Sequence, residues 1–253
     1  MKLVGKTCLV TGSSAGMGKE IVRLFVKEGA NVVAFARRRE RLEELAKELE
    51  NEKGKVLPFA GDVSNKEDIE AAIDKAVEVF GRFDVLINNA GVMDDMSPIA
   101  DVEDERYEKV FSVNVYGPLA AMRKACQVFL SQGEGGNIIN ISSVGSKHQA
   151  AGALYGASKA ALNAMSRNTA YMYEKDNIRC NVILPGGFAT EISSSMGRPN
   201  MTGYGRVKDI IALAANPTGD PCEIAKACLF LASDESSFIS GVELPVDGGW
   251  MSF

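Results

Sequence analysis

Short runs of β-branched and apolar residues alternate with helical patterns along the whole of this 253-residue chain. Strands that alternate with helices of this length pair in parallel through right-handed crossovers, which puts helices on both faces of a buried sheet. No linker, repeat or low-complexity tract interrupts the pattern. The chain is therefore expected to form one α/β domain over residues 1–253, built on a doubly wound parallel sheet. The predicted strands are residues 6–10, 31–36, 56–59, 85–87, 137–141, 178–184 and 242–246.

The second half of the chain contains the longest predicted helix and an irregular segment. Asp101 is expected to cap a helix that runs to Ser131, because acidic residues follow it near the positive end of that helix. Further helices are predicted over residues 154–174 and 221–232. Gly and Pro become frequent between Pro185 and Pro221, so residues 187–220 are predicted to form a substrate loop or lid.

The charge balance excludes several classes of partner. The chain carries 28 Lys and Arg against 33 Asp and Glu, a formal net charge of −5. A nucleic-acid partner is not expected, because that binding rests on neutralising many phosphates. No apolar stretch approaches the roughly 18 residues that span a bilayer, and the N-terminus has no signal-peptide core. These features predict a cytoplasmic protein without a membrane partner. The one basic cluster comprises Arg37, Arg38, Arg39 and Arg41.

The cysteines and the single histidine argue against a metal site. The five cysteines are odd in number and form no CxxC pair, which favours reduced buried thiols over a disulfide or zinc framework. His148 lies alone in a polar segment. A His-rich metal site or a histidine-dependent triad is therefore not expected.

A glycine-rich turn joins the first predicted strand to the first helix and reads Thr11-Gly12-Ser13-Ser14-Ala15-Gly16-Met17-Gly18. Glycines permit a tight turn and let a pyrophosphate approach the free backbone N–H groups at the positive end of a helix. The turn could equally be a plain tight connection, but its place between a strand and a helix favours dinucleotide binding. The candidate contacts are Gly12, Ser14, Gly16, Met17 and Gly18.

The second predicted strand ends at Ala36, where an NAD-binding protein usually has an acidic residue for the ribose hydroxyls. The next residues, Arg37 and Arg38, could hold a 2′-phosphate through charge-assisted hydrogen bonds. Alternatively, both arginines belong to the solvated first turn of the next helix, although cations are unfavourable at that end. The pattern favours NADP over NAD.

Polar and small residues follow the third and fourth predicted strands. Asp62 could accept a hydrogen bond from an adenine amino group, or it could cap the helix that begins near Asn65. Asn88 and Asn89 could tie strand ends together or face a cofactor. The small residues after them would let a ring or a ribose lie against the backbone. The candidate cofactor contacts here are Asp62, Val63, Asn89, Ala90 and Gly91.

Tyr155 and Lys159 are four residues apart in a predicted helix, and Ser142 and Ser143 end the strand before it. The spacing puts both side chains on one helix face, with Cβ atoms about 5 to 6 Å apart. The ammonium is expected to lower the tyrosine pKa from about 10 toward neutrality, as a proton-transferring residue requires. A single Tyr/Lys pair at this spacing usually lies on the protein surface without a function. Its occurrence together with the glycine-rich turn and the serines favours a catalytic role.

These motifs together resemble the short-chain dehydrogenase/reductase family of the 250-residue type, over essentially the whole chain. The resemblance implies a Rossmann-like fold, a nicotinamide dinucleotide cofactor, a small-molecule substrate and a homotetramer. The motifs that carry it, in family order and spacing, are Thr11-Gly12-x-x-x-Gly16-x-Gly18, Asn88-Asn89-Ala90-Gly91, the serine pair, Tyr155-x-x-x-Lys159 and Pro185-Gly186.

The resemblance also implies a role for individual residues. Tyr155 would be the acid/base that exchanges a proton with the substrate oxygen, and Lys159 would lower its pKa and hold the nicotinamide ribose. Asn114 matches the position that anchors a proton-relay water, or else marks an ordinary helix irregularity. Phe188 and Thr190, after Pro185 and Gly186, match positions that clasp the carboxamide.

The serine pair departs from the family pattern. Alignment on the strand motif makes Ser143 the substrate-polarising hydroxyl, one residue closer to Tyr155 than in most relatives, which a loop shortened around Gly145 would explain. Counting back from Tyr155 selects Ser142 instead. Strand alternation points the two side chains to opposite faces, and Ser143 is preferred.

The resulting hypothesis is an NADP(H)-dependent oxidoreductase that transfers hydride between nicotinamide and a secondary alcohol or ketone. A bulky hydrophobic or steroid-like substrate is favoured, because the variable segment carries five large apolar residues that could line an adaptable pocket or form a lid or subunit contact. A 3-oxoacyl-(acyl-carrier-protein) reductase is the first alternative, disfavoured by Asp94 and Asp95, which would repel an acidic carrier. A non-catalytic dinucleotide sensor is the second. The five residues are Phe188, Ile192, Met196, Met201 and Tyr204.

Overall fold

The computed structural model describes residues 1–213 and 218–252. Seven parallel strands form one sheet in the order β3-β2-β1-β4-β5-β6-β7. The order reverses direction between β1 and β4, and ligands of such sheets bind beyond the carboxyl ends of the strands at this point. The strands are β1 Thr7–Thr11, β2 Asn31–Ala36, β3 Lys55–Ala60, β4 Val85–Asn88, β5 Gly136–Ile141, β6 Ile178–Pro185 and β7 Glu243–Val246.

Helices cover both faces of this sheet. Helices α1, α2 and α8 pack on one face, and α3, α5 and α6 pack on the other. The alternation of side chains along β1 shows why: Cys8 and Val10 join the first layer, whereas Leu9 joins the second. The helices are α1 Gly16–Lys27, α2 Arg39–Glu48, α3 Lys66–Phe80, α4 Asp104–Phe111, α5 Gly117–Gln132, α6 Ala153–Met172, α7 Met201–Leu213 and α8 Pro221–Ala232.

This architecture confirms the predicted doubly wound parallel sheet, with each strand within one residue of its expected ends. The predicted helix from Asp101 to Ser131 is wrong in two places. Asp101 ends a separate 3₁₀ turn, and α4 begins at Asp104 with Glu103 as its N-cap residue. A π-helical turn, Ser112–Tyr116, then separates α4 from α5. Pro118 contributes to this break because it has no N–H to donate to the carbonyl of Asn114.

The segment between Pro185 and Pro221 is more regular than expected. It contains a 3₁₀ turn, Glu191–Ser195, and the whole of α7. Gly203 and Gly205 lower the helix propensity of α7, which is why the sequence pattern did not predict this helix. Gly203 is nevertheless required there, because a Cβ on it would overlap the carbonyl oxygen of Met96. Residues 214–217 of the predicted loop lie outside the described part of the chain.

The remaining structural expectations concern thiols, metals and membranes. All five cysteines are free thiols, and four of them are buried. Within residues 1–213 and 218–252 there is no group of three or more His, Cys, Asp or Glu arranged to hold a metal ion. The helices described here are all too short or too polar to cross a bilayer.

Candidate active site

The turn after β1 is packed so closely that two of its glycines admit no side chain. Gly12 has a positive φ of 72°, and a Cβ on it would lie 2.8 Å from Nδ2 of Asn89. A Cβ on Gly18 would overlap the carbonyl oxygen of Gly12. The N-cap residue of α1 is Ala15, whose methyl group cannot accept a hydrogen bond from the first turn of the helix. Backbone N–H groups at this helix end thus remain for an anion, so the turn fits the pyrophosphate of a dinucleotide.

Asn88, the last residue of β4, and Asn89, the next residue, both hold strand ends together. Nδ2 of Asn88 donates to Oδ1 of Asn140 on β5 at 2.8 Å. Nδ2 of Asn89 donates to the carbonyl oxygen of Thr11 at 2.9 Å. The backbone N–H groups of Asn89 and Ala90 donate to Oγ1 of Thr11, each at 3.0 Å. Thr11 and Asn89 thereby fix the glycine-rich turn against the end of β4.

Arg38, predicted to meet a 2′-phosphate, contacts Ser14 of the glycine-rich turn. Nε and Nη2 of Arg38 donate to Oγ of Ser14 at 3.1 and 2.8 Å, at the end of β2. The same guanidinium donates through Nη1 to Glu191 at 2.8 Å, and Arg41 binds the other oxygen of that carboxylate at 2.9 Å. Arg37 is exposed. Glu191 was not predicted, because it lies 153 and 150 residues further along the chain than Arg38 and Arg41.

Asp62 does not cap the helix that follows it. Its Oδ1 accepts from the backbone N–H and the hydroxyl of Ser64 at 2.9 and 2.7 Å. The N-cap of α3 is Asn65, whose Oδ1 accepts from the N–H of Glu67. Asp62 instead shapes a short turn beyond β3. Val63 packs partly buried against the neighbouring core.

Tyr155 and Lys159 face each other on α6 and are buried, with 6% and 3% of their surfaces exposed. Nζ of Lys159 lies 5.7 Å from the centre of the tyrosine ring and donates to the carbonyl oxygen of Ile141 at 2.9 Å. A Cβ on Gly91 would lie 3.3 Å from the same Nζ. The absence of a side chain at Gly91 keeps the approach to the ammonium open.

The two serines after β5 differ in their contacts. The hydroxyl of Ser142 donates to the carbonyl oxygen of Lys159 at 3.1 Å and so ties β5 to α6. Oγ of Ser143 accepts from the N–H of Gly145 at 3.0 Å and lies beside the ring of Tyr155. A Cβ on Gly145 would lie 3.3 Å from Oγ of Ser143. The opposite orientations expected from strand alternation are present, and Ser143 is the serine that meets the tyrosine.

Burial controls the ionisation of the pair more strongly than expected. Burial raises the pKa of Tyr155 to about 12, against the lowering effect of the neighbouring Ser143 hydroxyl and with a smaller raising effect from Asp94. Burial lowers the pKa of Lys159 to about 8. The expectation that the ammonium brings the tyrosine pKa toward neutrality is therefore wrong for the protein alone. The cost of burying a phenolate exceeds what its neighbours offset.

Asp94 holds the beginning of α6. Its carboxylate is only 1% exposed and accepts from the backbone N–H groups of Tyr155, Gly152 and Met96 at 2.8, 3.2 and 3.0 Å. Gly152 is the N-cap residue of α6, and a Cβ on it would lie 2.5 Å from this carboxylate. Asp94 thus supplies from a distance the cap that glycine lacks. Since Asp94 is buried, it does not repel an acidic carrier at the entrance, contrary to the expectation from the sequence.

Asn114 is fully buried within the π-helical turn. Its side chain exchanges two hydrogen bonds with the backbone of Val92, both at 2.9 Å, and donates to Oγ of Ser158 at 3.1 Å. The hydroxyl of Ser158 in turn donates to the carbonyl oxygen of Tyr155 at 2.8 Å. Asn114 therefore links the segment after β4 to α6, one turn below the tyrosine.

The segment after β6 reaches the glycine-rich turn. The side chain of Thr190 lies 3.2 Å from the position of a Cβ on Gly16. Gly186 donates its N–H to the carbonyl oxygen of Val246, and Pro185 ends β6. Phe188 packs half-buried against the core and pairs with Gly219 in an isolated bridge. Thr190, but not Phe188, is thereby seen beside the predicted pyrophosphate site.

An apolar pocket of about 230 Å³ opens at Val144, the residue after Ser143. Its described lining contains none of the five residues predicted from the variable segment. It draws on the turn after β5, on α7 and on the C-terminal 3₁₀ turn, Trp250–Ser252. No sequence pattern had indicated His148 or the C-terminal residues as part of a pocket. The lining residues are Val144, His148, Gln149, Ile210, Trp250 and Met251.

Comparison with known proteins agrees with this geometry. A family model described as enoyl-(acyl carrier protein) reductase matches residues 12–251. The chain is 40% identical to the 3β-hydroxysteroid dehydrogenase 2 of Eggerthella lenta, covering 99% of this chain and 96% of that protein. It is 35% identical to the 3-oxoacyl-(acyl-carrier-protein) reductase of Thermotoga maritima, covering 98% and 99%.

Solved structures give the same result. A short-chain type dehydrogenase/reductase from Mycobacterium marinum superposes with a TM-score of 0.87 at 28% identity, covering 99% of this chain and 97% of that one. The match to these relatives extends over nearly the whole chain. It includes the parallel sheet, the glycine-rich turn and α6 with its buried tyrosine and lysine. The chain belongs to the short-chain dehydrogenase/reductase family of nicotinamide-dependent oxidoreductases that act on hydroxyl and keto groups.

Proposed function

We propose that this protein is an NADP(H)-dependent reductase or dehydrogenase for a secondary alcohol or ketone with a bulky apolar body. One observation carries the proposal: Tyr155 and Lys159 lie buried together on α6 beside Ser143, at the edge of the sheet that also carries the glycine-rich turn. Val144, the residue after Ser143, lines an apolar pocket. A bound nicotinamide dinucleotide supplies hydride to the substrate carbon, or accepts it in the reverse direction.

The chain's own groups would hold this cofactor along the sheet edge. Backbone N–H groups from Gly16 to Gly18 would bind the pyrophosphate. The ammonium of Lys159, next to Gly91, would bind a ribose hydroxyl. Further contacts are proposed for Gly12, Met17, Asp62, Val63, Asn89, Ala90, Pro185, Gly186, Phe188 and Thr190.

Tyr155 would exchange the proton. With a pKa of about 12 its phenol is protonated at neutral pH, which is the form that donates to a ketone oxygen during reduction. Ser143 would polarise that oxygen. Lys159, with a pKa of about 8, is mostly charged at neutral pH and would stabilise the phenolate left behind. Asn114 would anchor a relay water through its backbone carbonyl oxygen, because Pro118 has no N–H to donate to that oxygen.

The preference for NADP rests on charge. Arg38 and Ser14 adjoin at the end of β2, where Ala36 replaces the acidic residue that repels a 2′-phosphate. Arg37 adds a second exposed cation. The affinity ratio of NADP⁺ to NAD⁺, measured by fluorescence titration, tests this preference. An equal or tighter affinity for NAD⁺ contradicts it.

The substrate class rests on the pocket at Val144, whose lining is mainly aliphatic and aromatic, with His148 and Gln149 as its polar members. A polycyclic ketone such as a 3-oxosteroid would bury its apolar body there. The similarity to the steroid dehydrogenase of Eggerthella lenta supports the same class.

Two panels of ketones test this class with NADPH as reductant: 3-oxosteroids and short 3-oxoacyl thioesters. Trp250→Ala should raise KM for the steroid severalfold, whereas Phe238→Ala, at a fully exposed position, should leave it unchanged. Faster turnover of the thioesters, unaffected by Trp250→Ala, would favour the acyl-carrier-protein reductase function instead. NADPH binding without reduction of either panel would support a sensor.

Self-association as a homotetramer is also proposed. Exposed apolar side chains on three consecutive elements, α4, the π-helical turn and α5, support it, because clustered apolar groups at a surface mark an interaction site. Light scattering on the purified protein distinguishes a tetramer from a monomer. The residues are Tyr107, Tyr116, Leu119 and Leu130.

A further inference from the structure

A carboxylate from the segment after β6 lies against the arginines at the end of β2. Glu191 receives Nη1 of Arg38 at 2.8 Å and Nη1 of Arg41 at 2.9 and 3.1 Å. The two hydrogen bonds, first from Arg38 and then from Arg41, lower the pKa of Glu191 below its usual value. The glutamate is therefore an anion bound by two cations near neutral pH.

These contacts use the same donors that a 2′-phosphate would need. Arg38 turns its Nε and Nη2 toward Ser14 and its Nη1 toward Glu191. A carboxylate and a phosphate monoester are both acceptor-only anions that guanidinium groups bind through paired hydrogen bonds. Two anions on one guanidinium repel each other, so a phosphate would bind fully only after the carboxylate leaves.

Glu191 also belongs to the part of the chain that approaches the substrate. It begins the 3₁₀ turn Glu191–Ser195 and follows Thr190, which lies over Gly16. At the far end of that turn, Oγ of Ser195 accepts from the N–H of Met93 at 2.8 Å. The carboxylate is thus attached to a segment tied down on both sides, which keeps its effective concentration near the arginines high.

From these contacts we infer that Glu191 is a specificity-determining residue for the cofactor: an internal anion that competes with the 2′-phosphate for Arg38 and Arg41. The inference rests on the proposed cofactor site at Ser14 and Arg38. It predicts that the chain discriminates between NADP and NAD less strongly than its arginines alone would allow. The adenosine half of the cofactor is sufficient to reveal the competition.

The test uses 2′,5′-ADP and 5′-AMP as probes, because they differ only in the 2′-phosphate. Their Kd values are measured by calorimetry on the full chain and on Glu191→Gln. The substitution should lower the Kd for 2′,5′-ADP about tenfold and leave the Kd for 5′-AMP unchanged within about twofold. The gain should shrink at high ionic strength, since the groups are exposed to solvent. Glu43→Gln is the matched control, because Glu43 pairs with Arg39 on α2 and does not reach the segment after β6.

The outcomes separate this inference from the cofactor preference itself. Unchanged affinity for 2′,5′-ADP in Glu191→Gln would overturn the competition, whatever the wild-type preference. Weaker binding of both probes would also overturn it and would identify Glu191 as a strap that holds the bound nucleotide. If the wild-type chain favours 5′-AMP but Glu191→Gln shifts toward 2′,5′-ADP, the proposed NADP preference fails while the competition stands.

Discussion

Two regions that border the candidate site are held in place in opposite ways. The beginning of α6 is fixed by buried groups, above all the carboxylate of Asp94 and the side chain of Asn114, which are 1% and 0% exposed. The beginning of the segment after β6 is fixed by the exposed side chains of Glu191, Arg38 and Arg41. Buried polar contacts are costly to break, whereas exposed ion pairs contribute little to stability. The contrast indicates a rigid frame for proton transfer beside a region where specificity can change without loss of the fold.

Removal of the carboxylate at the beginning of α6 should have the largest effect on stability. Asp94→Ala leaves three backbone N–H groups without their acceptor, and each buried unsatisfied group costs about 1–3 kcal/mol. A loss of about 3 kcal/mol or more is expected in urea unfolding. Asp95→Ala is the control, because its half-buried carboxylate accepts only from Ser97 at 3.2 Å among the bonds described. Equal losses in the two variants would refute the special role of Asp94.

Replacement of the buried lysine should change how stability depends on pH. The pKa of Lys159 is about 8 in the folded chain and 10.5 as the ordinary value, so the unfolded chain binds more protons between these values. Stability conferred by this group therefore rises with pH from about 8 to 10.5, by roughly 3 kcal/mol at most. Lys159→Met should lack this rise. Parallel stability curves for the two proteins across that window would contradict the effect of burial.

The two serines after β5 should differ in whether their loss affects activity or stability. Ser143→Ala should lower kcat/KM by about 10²-fold with the fold intact, because it removes the hydroxyl that meets Tyr155. Ser142→Ala should mainly lower stability, by about 1 kcal/mol, since its hydroxyl bonds a backbone carbonyl. Steady-state kinetics beside thermal unfolding separate the two. The reverse pattern would make Ser142 the polarising residue.

The exposed ion pairs should show the smallest effect on the fold. Arg41→Ala removes one partner of Glu191, whose side chain is 52% exposed. The Tm is expected to stay within about 2 °C of the wild type in scanning calorimetry. A larger fall would mean that the segment after β6 is as firmly structural as the beginning of α6.

The sequence was sufficient for features that local patterns determine. The seven strands follow from short β-branched runs, and the pairing of Tyr155 with Lys159 follows from helical spacing. The π-helical turn and α7 could not be predicted, because they depend on contacts far along the chain, such as the fit of Gly203 against Met96. The tyrosine pKa was mispredicted because a spacing rule includes the nearby charge and omits the cost of burial.

Distant contacts also explain which site residues escaped prediction. Asp94 caps a helix 58 residues further along the chain, and Glu191 meets arginines 150 and 153 residues before it. The apolar pocket joins three separate parts of the chain and ends on Trp250. No local pattern contains such pairings. Two features of the sequence did indicate that an acidic partner was required: Gly152 offers no side chain to cap α6, and the arginines after β2 are in excess.

Proton transfer by Tyr155 is the central claim, and Tyr155→Phe tests it most directly. The control is Tyr171→Phe, on the same helix at a position that is 75% exposed. Turnover of a reducible ketone with NADPH should fall by about 10²–10⁴-fold in Tyr155→Phe alone, with the Kd for NADPH within a few fold of the wild type. Turnover within tenfold of the wild type would contradict the account.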